Sequence, residues 1–456
     1  MNGINSEPIS MSALTYLCDE FKKNNSIKPE KYVKYHVKRG LRNDDGSGVM
    51  AGLTLICNVH GYVLDDGEKI AQDGKLYYRG IEINDIINGA KVDDHFAFEE
   101  VVWLLLFGSL PNRETLAEFR QILSECRELP EGFTEDMILK APSQNIMNKM
   151  ARSVLALYSY DYNPDNTSME NVMRQSIKLL AQLPTVMVNA YQVKRGHFDR
   201  DTMFFHPINP AHSTAEFILS AIRPDRKFTP EEAKLLDLCL VLHAEHGGGN
   251  NSTFATRVVS SSGTDTYSAI AAAIGSLKGH KHGGANIKVT EQLRNMLEAI
   301  EDETDDNEIL EYLEKVVRKE EGDKSGLIYG MGHAVYTNSD PRAQILKENL
   351  KPLAEEKGML REFTLLDAIE RLAPQALINV KGISKDVCAN VDLYSGLVYR
   401  ILGIPPELFT PLFAVARIAG WSAHRVEECY SGGRIIRPAY KSVVHTTPYV
   451  PIDKRN

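Results

Sequence analysis

No CxxC pair occurs among the six cysteines (Cys18, Cys57, Cys126, Cys239, Cys388 and Cys429). Their spacing matches neither a disulfide framework nor a zinc ribbon, and several fall in apolar helical patterns. Reduced, buried thiols in a cytoplasmic protein are therefore expected. HExxH is missing, and no Cys/His cluster could complete a metal site around the histidines, so no metal and no cofactor are expected. Long apolar runs are missing too. Val101 to Phe107 and Ala269 to Ile274 fall far short of the ~20 residues a bilayer span needs. The first residues show no basic region followed by an apolar core. They carry Asp19 and Glu20 and no arginine before Lys22, so neither a secretory nor a mitochondrial leader is expected. Basic charge is in deficit, at 52 Lys and Arg against 61 Asp and Glu, for a net charge of -9. That balance excludes general nucleic-acid binding and leaves room for a local basic pocket. Neither a fixed-period repeat nor a low-complexity tract is present.

What remains is an ordinary globular composition, 43% hydrophobic and 25% charged, over 456 residues. Such a length allows a large core and two or three domains. Residues 41–80, rich in Gly and Asp with short alternating pieces, predict turns and a small β-hairpin. Helical signals dominate elsewhere. Thr229-Pro230-Glu231-Glu232 combines an N-cap threonine, Pro at N1 and Glu three residues after the cap. The helix it starts is apolar on nearly every face and so is expected to be buried, ending at Gly247-Gly248-Gly249. Val172 to Val193 predicts a long apolar helix broken at Leu183-Pro184. Asp302, Glu303, Asp305 and Asp306 head an amphipathic helix and suit its N-terminus as a solvated face. The small-residue stretch Tyr267 to Leu277 predicts a helix that lets a neighbouring backbone come close. The last twenty residues are expected to be extended.

Chemistry-bearing residues gather in four places. His243 and His246 sit near the C-terminal end of an apolar helix, where the local negative potential favours protonation; either could equally be a structural histidine. His282 stands among Gly279, Gly283 and Gly284, which predicts an uncrowded ring with nearby N–H groups open to a ligand oxygen. His280, beside Lys281, reads as a surface residue. Gly330-x-Gly332 is too short for a dinucleotide fingerprint and fits a loop wrapping a ligand, with His333 at its tip. Arg342 follows in the first turn of a helix started by Asp340-Pro341. A cation is disfavoured there by the helix dipole, which points to anion binding or to a simple surface arginine. Asp392 lies between Val391 and Leu393, where partial desolvation would raise its pKa and make it a usable base; a helix cap is the competing reading. Arg417 sits in an otherwise apolar helix and needs an anion, from the protein or from a substrate. Arg437 is a weaker case of the same kind.

LHAEHGGGNNSTFATR, KHGGAN, GMGHAVYTNSDPRA and NVDLYSG, taken together and in this order, resemble the bacterial-type citrate synthase family over most of the chain from about residue 45. The resemblance implies a mainly α, two-domain multihelical fold with a minor β-hairpin near the N-terminus. A large domain would comprise 1–283 and 398–456, and a small domain 284–397. It implies condensation of acetyl-CoA with oxaloacetate, with Asp392 as base, His282 on the thioester oxygen and His333 on the oxaloacetate carbonyl. His246, Arg342 and Arg417 would hold the oxaloacetate carboxylates, joined by Arg437 from the second subunit of a homodimer. Leu327, Ile328, Tyr329, Gly330, Met331 and Gly332 would form the CoA-binding loop. Neither nucleic acid nor membrane is implied as a partner. The same motifs serve 2-methylcitrate synthases, which take propionyl-CoA; a helical scaffold without activity would not need His282, His333 and Asp392 together. Two positions depart from the family. Gly247 stands where many relatives have Glu, and Thr337 and Asn338 stand where some have a basic residue that meets CoA phosphate.

Overall fold

Thr229 sets the start of its helix as its sequence predicts. Its hydroxyl accepts the Glu232 N–H, and the Glu232 carboxylate accepts the Thr229 N–H in return. The helix Pro230–His243 that follows is buried along nearly its whole length. The same economy recurs elsewhere. Asn112 and Asn145 cap the helices Arg113–Glu125 and Ile146–Leu157, and Asp305 caps Asp306–Val317, with Asp302 exposed and Glu303 and Asp306 paired to Arg361 and Arg371.

The computed structural model describes residues 10–24, 27–65, 68–382, 387–431 and 433–455. The chain divides into two units, Met1–Gly52 and Leu53–Asn456. The first holds an exposed helix, Met11–Asn24, a short helix, Pro29–Lys34, and a turn closed by the Arg42–Gly48 bridge. The second opens with the expected hairpin. Strand β1 (Cys57–Asp65) pairs antiparallel with β2 (Glu68–Tyr78), with an irregularity between His60 and Tyr62, and the two residues of β3 (Ile81–Glu82) extend the sheet. Apart from an isolated bridge, all else described in this unit is helix and connecting loop, so the chain is mainly α as expected.

One expected break is absent. The helix Met169–Lys194 runs unbroken through Pro184. Losing one backbone bond there costs about 3 kcal/mol. Every residue from Leu179 to Val188 is buried, and each large apolar side chain among them contributes about 1.5–3 kcal/mol. Burial outweighs the local preference.

The helix Phe409–Tyr430, buried at every residue from Phe409 to Val426, forms the axis of this unit. It packs against Met169–Lys194, Asn251–Ser260, Thr266–Leu277, Phe98–Phe107 and Pro230–His243. A second group packs mutually: Ala285–Ala299, Asp306–Val317, Pro341–Glu356, Leu360–Lys381 and Asp392–Ile401. Among the described residues, the C-terminal stretch after Gly433 has no regular element except a single 3-10 turn at Ile452–Lys454. Five of the cysteines are buried or half-buried and Cys18 is exposed; none is paired. Among the described residues, no helix is long and apolar enough to cross a membrane.

Candidate active site

The loops carrying His333 and Asp392 are zipped to each other. Met331 and Ala389 form an isolated antiparallel bridge. The Gly332 N–H donates to the Cys388 carbonyl at 2.7 Å, and the Asn390 N–H to the Gly330 carbonyl at 2.8 Å. Gly330 and Gly332 both sit at positive φ, +84° and +92°, and a Cβ on Gly330 would stand 2.7 Å from a Leu393 methyl. Glycine is required there by conformation and by space. Within the predicted CoA loop, Ile328 is buried and Leu327 exposed, and the Tyr329 hydroxyl donates to Asp323 at 2.7 Å.

The His333 ring is fixed from behind. Its Nδ1 accepts two backbone N–H groups, from Val335 and Tyr336, both at 3.1 Å. In the neutral ring the proton therefore sits on Nε2. The ring stacks on Tyr336, with centroids 4.6 Å apart, and meets the His246 ring edge-on at 4.9 Å. Tyr336 is in turn held under the β-hairpin, where Gly61 and Gly74 leave room for it.

His246 and His243 are not on one helix face, because the helix stops at His243. His243 is structural: its ring donates from Nδ1 to the Cys239 carbonyl at 2.7 Å. Burial pushes its pKa down to about 3, and burial together with the charges of Arg342, His333 and Arg417 takes His246 well below the usual histidine range. The expectation that the helix end favours protonation is thus overturned. Desolvation can move a buried imidazole by 3–5 units, whereas a helix terminus is worth at most about 2 kcal/mol.

His282 also differs from expectation in its surroundings. Its glycines mark crowding and not freedom: a Cβ on Gly283 would meet the Leu277 carbonyl at 2.4 Å, and one on Gly284 the His280 backbone at 2.9 Å. The Gly283 N–H is already bonded to that Leu277 carbonyl. What orients the ring is Ser252, whose Oγ lies 3.0 Å from Nε2 and accepts the Trp421 Nε1–H at 3.1 Å. Burial and the Arg417 charge lower the His282 pKa to about 4, so the ring is neutral at pH 7. His280 is exposed, as expected.

Asp392 is the first residue of the helix Asp392–Ile401, and its N–H is capped by Asn390 Oδ1 at 3.0 Å. Burial raises its pKa to about 6, against the opposing pull of Arg342 and Arg417. Desolvation wins, and the carboxylate is a stronger base than an exposed one while still ionised at neutral pH. The helix is locked to the KHGGAN segment by Asn286, which donates to Ser395 Oγ at 2.6 Å.

Two arginines complete the cluster in different states. Arg342 is buried, and its guanidinium is taken by Asp340, with Nε at 3.0 Å and Nη2 at 2.7 Å. Arg417 is fully buried, with Nε donating to the His243 carbonyl at 2.6 Å. The guanidinium lies over the Phe413 ring at 4.7 Å, and its Nη1 and Nη2, like Nε2 of His246, have no hydrogen-bond partner among the described residues. Unpaired buried donors of this kind are costly unless a ligand meets them. Arg437 is not brought to the cluster; it is exposed on the C-terminal stretch, next to Ile436, whose N–H donates to Ser261 Oγ at 3.0 Å. A cavity of about 950 Å³ lies away from the cluster, around Glu99, Arg120 and His212, and none of the cluster's residues lines it. Among the described residues, no group of three or more His, Cys, Asp or Glu side chains could hold a metal ion.

A sequence profile described as citrate synthase, C-terminal domain, matches residues 45–439, most of the chain. The chain belongs to the citrate synthase family. It is 34% identical over 389 residues to a citrate synthase of Synechocystis, covering 84% of this chain and 89% of that protein. Its fold is similar to the crystal structure of citrate synthase from Pyrobaculum aerophilum, with a TM-score of 0.72 and 30% identity, covering 90% of this chain and 94% of that one. It is also similar to the citrate synthase of Thermoplasma acidophilum solved as a ternary complex with carboxymethyl coenzyme A and oxaloacetate. There the TM-score is 0.74 and the identity 25%, over 92% and 99% of the two chains.

Several residues in contact with the candidate site were not singled out in the sequence, although Glu245, Ser252 and Asp340 lie within its motifs. Asp340 was legible only as a helix cap. Ser252 and Trp421 are ordinary residues until the fold brings them behind His282. Glu245, inside the HxxH pair, and His424, seven residues after Arg417 and so on the same helix face, carried a periodicity signal that was open to reading.

Proposed function

We propose that this chain condenses acetyl-CoA with oxaloacetate and water to give citrate and CoA. The observation that carries the reading is that Arg417 Nη1 and Nη2 and His246 Nε2 are all buried without a hydrogen-bond partner among the described residues, with the Arg417 charge acting on His246 and the His246 ring set against His333. A dianionic α-keto acid supplies the carboxylates this arrangement demands, and a guanidinium fork meets a carboxylate bidentately. Asp392 takes a proton from the acetyl methyl group. His282, neutral and held at Nε2 by Ser252, hydrogen-bonds the thioester oxygen as it gains charge; such a donor contributes about 3 kcal/mol. The enol carbon attacks the carbonyl carbon of oxaloacetate, and the alkoxide takes its proton from Nε2 of His333. Water then cleaves the citryl thioester, releasing CoA.

Arg342 contacts oxaloacetate with whatever donors Asp340 leaves it, and Arg437 reaches the site from the second subunit of a homodimer. Leu327 to Gly332 line the acyl-CoA path. Residues 284–397 form the small domain, which closes over the large one to exclude water. No cofactor is needed for this sequence of steps, and the setting is cytoplasmic. The test is a comparison of acetyl-CoA and propionyl-CoA at saturating oxaloacetate. The proposal expects a kcat/KM clearly higher for acetyl-CoA. A preference for propionyl-CoA would make the enzyme a 2-methylcitrate synthase.

A further inference from the structure

His424 is completely buried in the axial helix, and both its ring nitrogens are engaged. Nδ1 faces Arg257, with Nη2 at 2.7 Å and Nε at 3.1 Å. Arginine can only donate, so Nδ1 must accept, and the ring proton is forced onto Nε2. Nε2 faces Glu245 Oε1 at 3.1 Å. The same oxygen accepts the Gly247 N–H at 2.6 Å. Glu245 is thus held by its side chain, while its backbone carbonyl accepts the Tyr78 hydroxyl at 3.0 Å. His246 sits between Glu245 and Gly247, gripped on both sides.

The grip is built at close range. Gly247 lies at φ +88°, and Gly420 donates its N–H to the Ala244 carbonyl at 3.1 Å. A Cβ on Gly420 would stand 1.9 Å from Glu245 Oε2. At the far end, Arg257 is anchored by Glu427 and by Glu428 at 2.9 Å.

We infer that Arg257, His424 and Glu245 are positioning residues that set the orientation of the His246 ring, and through it the affinity for oxaloacetate. Arg257 fixes the tautomer of His424, His424 fixes the Glu245 carboxylate, and Glu245 fixes the loop. None of the three needs to touch substrate. A misplacement of about 1 Å can cost on the order of 10²-fold in rate, so a loosened His246 should be visible in the oxaloacetate parameters.

The inference rests on the proposed oxaloacetate site, and the test separates the two. Calorimetry of oxaloacetate binding is run on the wild-type protein, His424→Leu, His424→Gln and Arg257→Gln, with KM, kcat and melting temperature for each. Wild-type binding checks the site itself; its absence would remove both the site and the inference. The expected result is a loss of about tenfold or more in oxaloacetate affinity for His424→Leu, with KM for acetyl-CoA unchanged. Gln restores an N–H donor near the Nε2 position, so His424→Gln should recover most of the loss. Arg257→Gln frees the tautomer and should weaken oxaloacetate in the same direction, which covers the case in which His424→Leu fails to fold. Unchanged oxaloacetate affinity in Arg257→Gln and in whichever His424 variants fold would overturn the inference. So would equal losses in His424→Leu and His424→Gln that track melting temperature and affect both substrates.

Discussion

Asp392 and Arg417 hold opposite positions at the scale of single residues: one is a carboxylate with its charge disfavoured, the other a cation with its donors unmet. The folded pKa of Asp392, about 6, lies above the ordinary value of 3.8. Native protein therefore binds that proton more tightly than unfolded chain does. The associated stability is fully present below pH 4 and lost as pH rises through 6, so at pH 7–8 the ionised group costs up to about 3 kcal/mol. Asp392→Asn should consequently stabilise the fold at pH 8 and do so less and less as pH falls toward 4, as denaturant titrations at a series of pH values would show. A constant difference across that range would refute the burial argument. For Arg417→Lys the charge survives but the fork does not, and a raised KM for oxaloacetate with the fold retained is expected. An unchanged KM would mean that the Nη atoms meet no substrate. The apolar neighbours of Asp392 and Arg417 made both legible in the sequence. The histidines were less so, because protonation at a helix end is a local effect and burial is a tertiary one.

Elements, more than residues, decide where His333 points. The β-hairpin was expected from its turns and alternation, but its task was not. A Cβ on Gly74 would stand 2.1 Å from the Ser339 carbonyl and 2.7 Å from the Tyr336 ring, on which His333 stacks. Gly74→Ala should therefore lower both melting temperature and kcat. Gly89 offers the contrast, since it lies in the helix Ile83–Val92 with open space around its Cβ position. Gly89→Ala should leave kcat alone and add about 0.5–1 kcal/mol. Thermal melts and steady-state rates of the two variants check the pair; equal effects would remove the hairpin from the site's support. The glycines around His282 teach the same lesson. In a sequence, a glycine chosen for flexibility and one chosen for close approach look alike, and only the neighbours tell them apart. Pro184 was misread for a related reason, since the packing that carries the helix through it is contributed by distant segments.

On the scale of the whole molecule, the order of four motifs was enough to place the chain in its family and to fix the mainly α architecture. What holds the motifs together was out of reach, because Asn286 and Ser395, or Ser252 and Trp421, are more than a hundred residues apart. Arg437 belongs to this scale as well, being exposed on its own chain and assigned to a second subunit's site. An Arg437→Ala chain and an Asp392→Asn chain, each nearly inactive alone, should regain activity when co-refolded, because a hybrid dimer holds one site with neither defect. Recovery should peak at equal mixing; its absence in demonstrated hybrids would return Arg437 to its own subunit or remove it from the chemistry. The central claim is that this one cluster enolises an acyl thioester toward oxaloacetate, and the direct measurement is thiol release from acetyl-CoA with and without oxaloacetate. Wild-type protein should release CoA only when oxaloacetate is present, and Asp392→Asn should do so at least ~10²-fold more slowly. Release that ignores oxaloacetate, or an Asp392→Asn rate equal to wild type, would contradict the account.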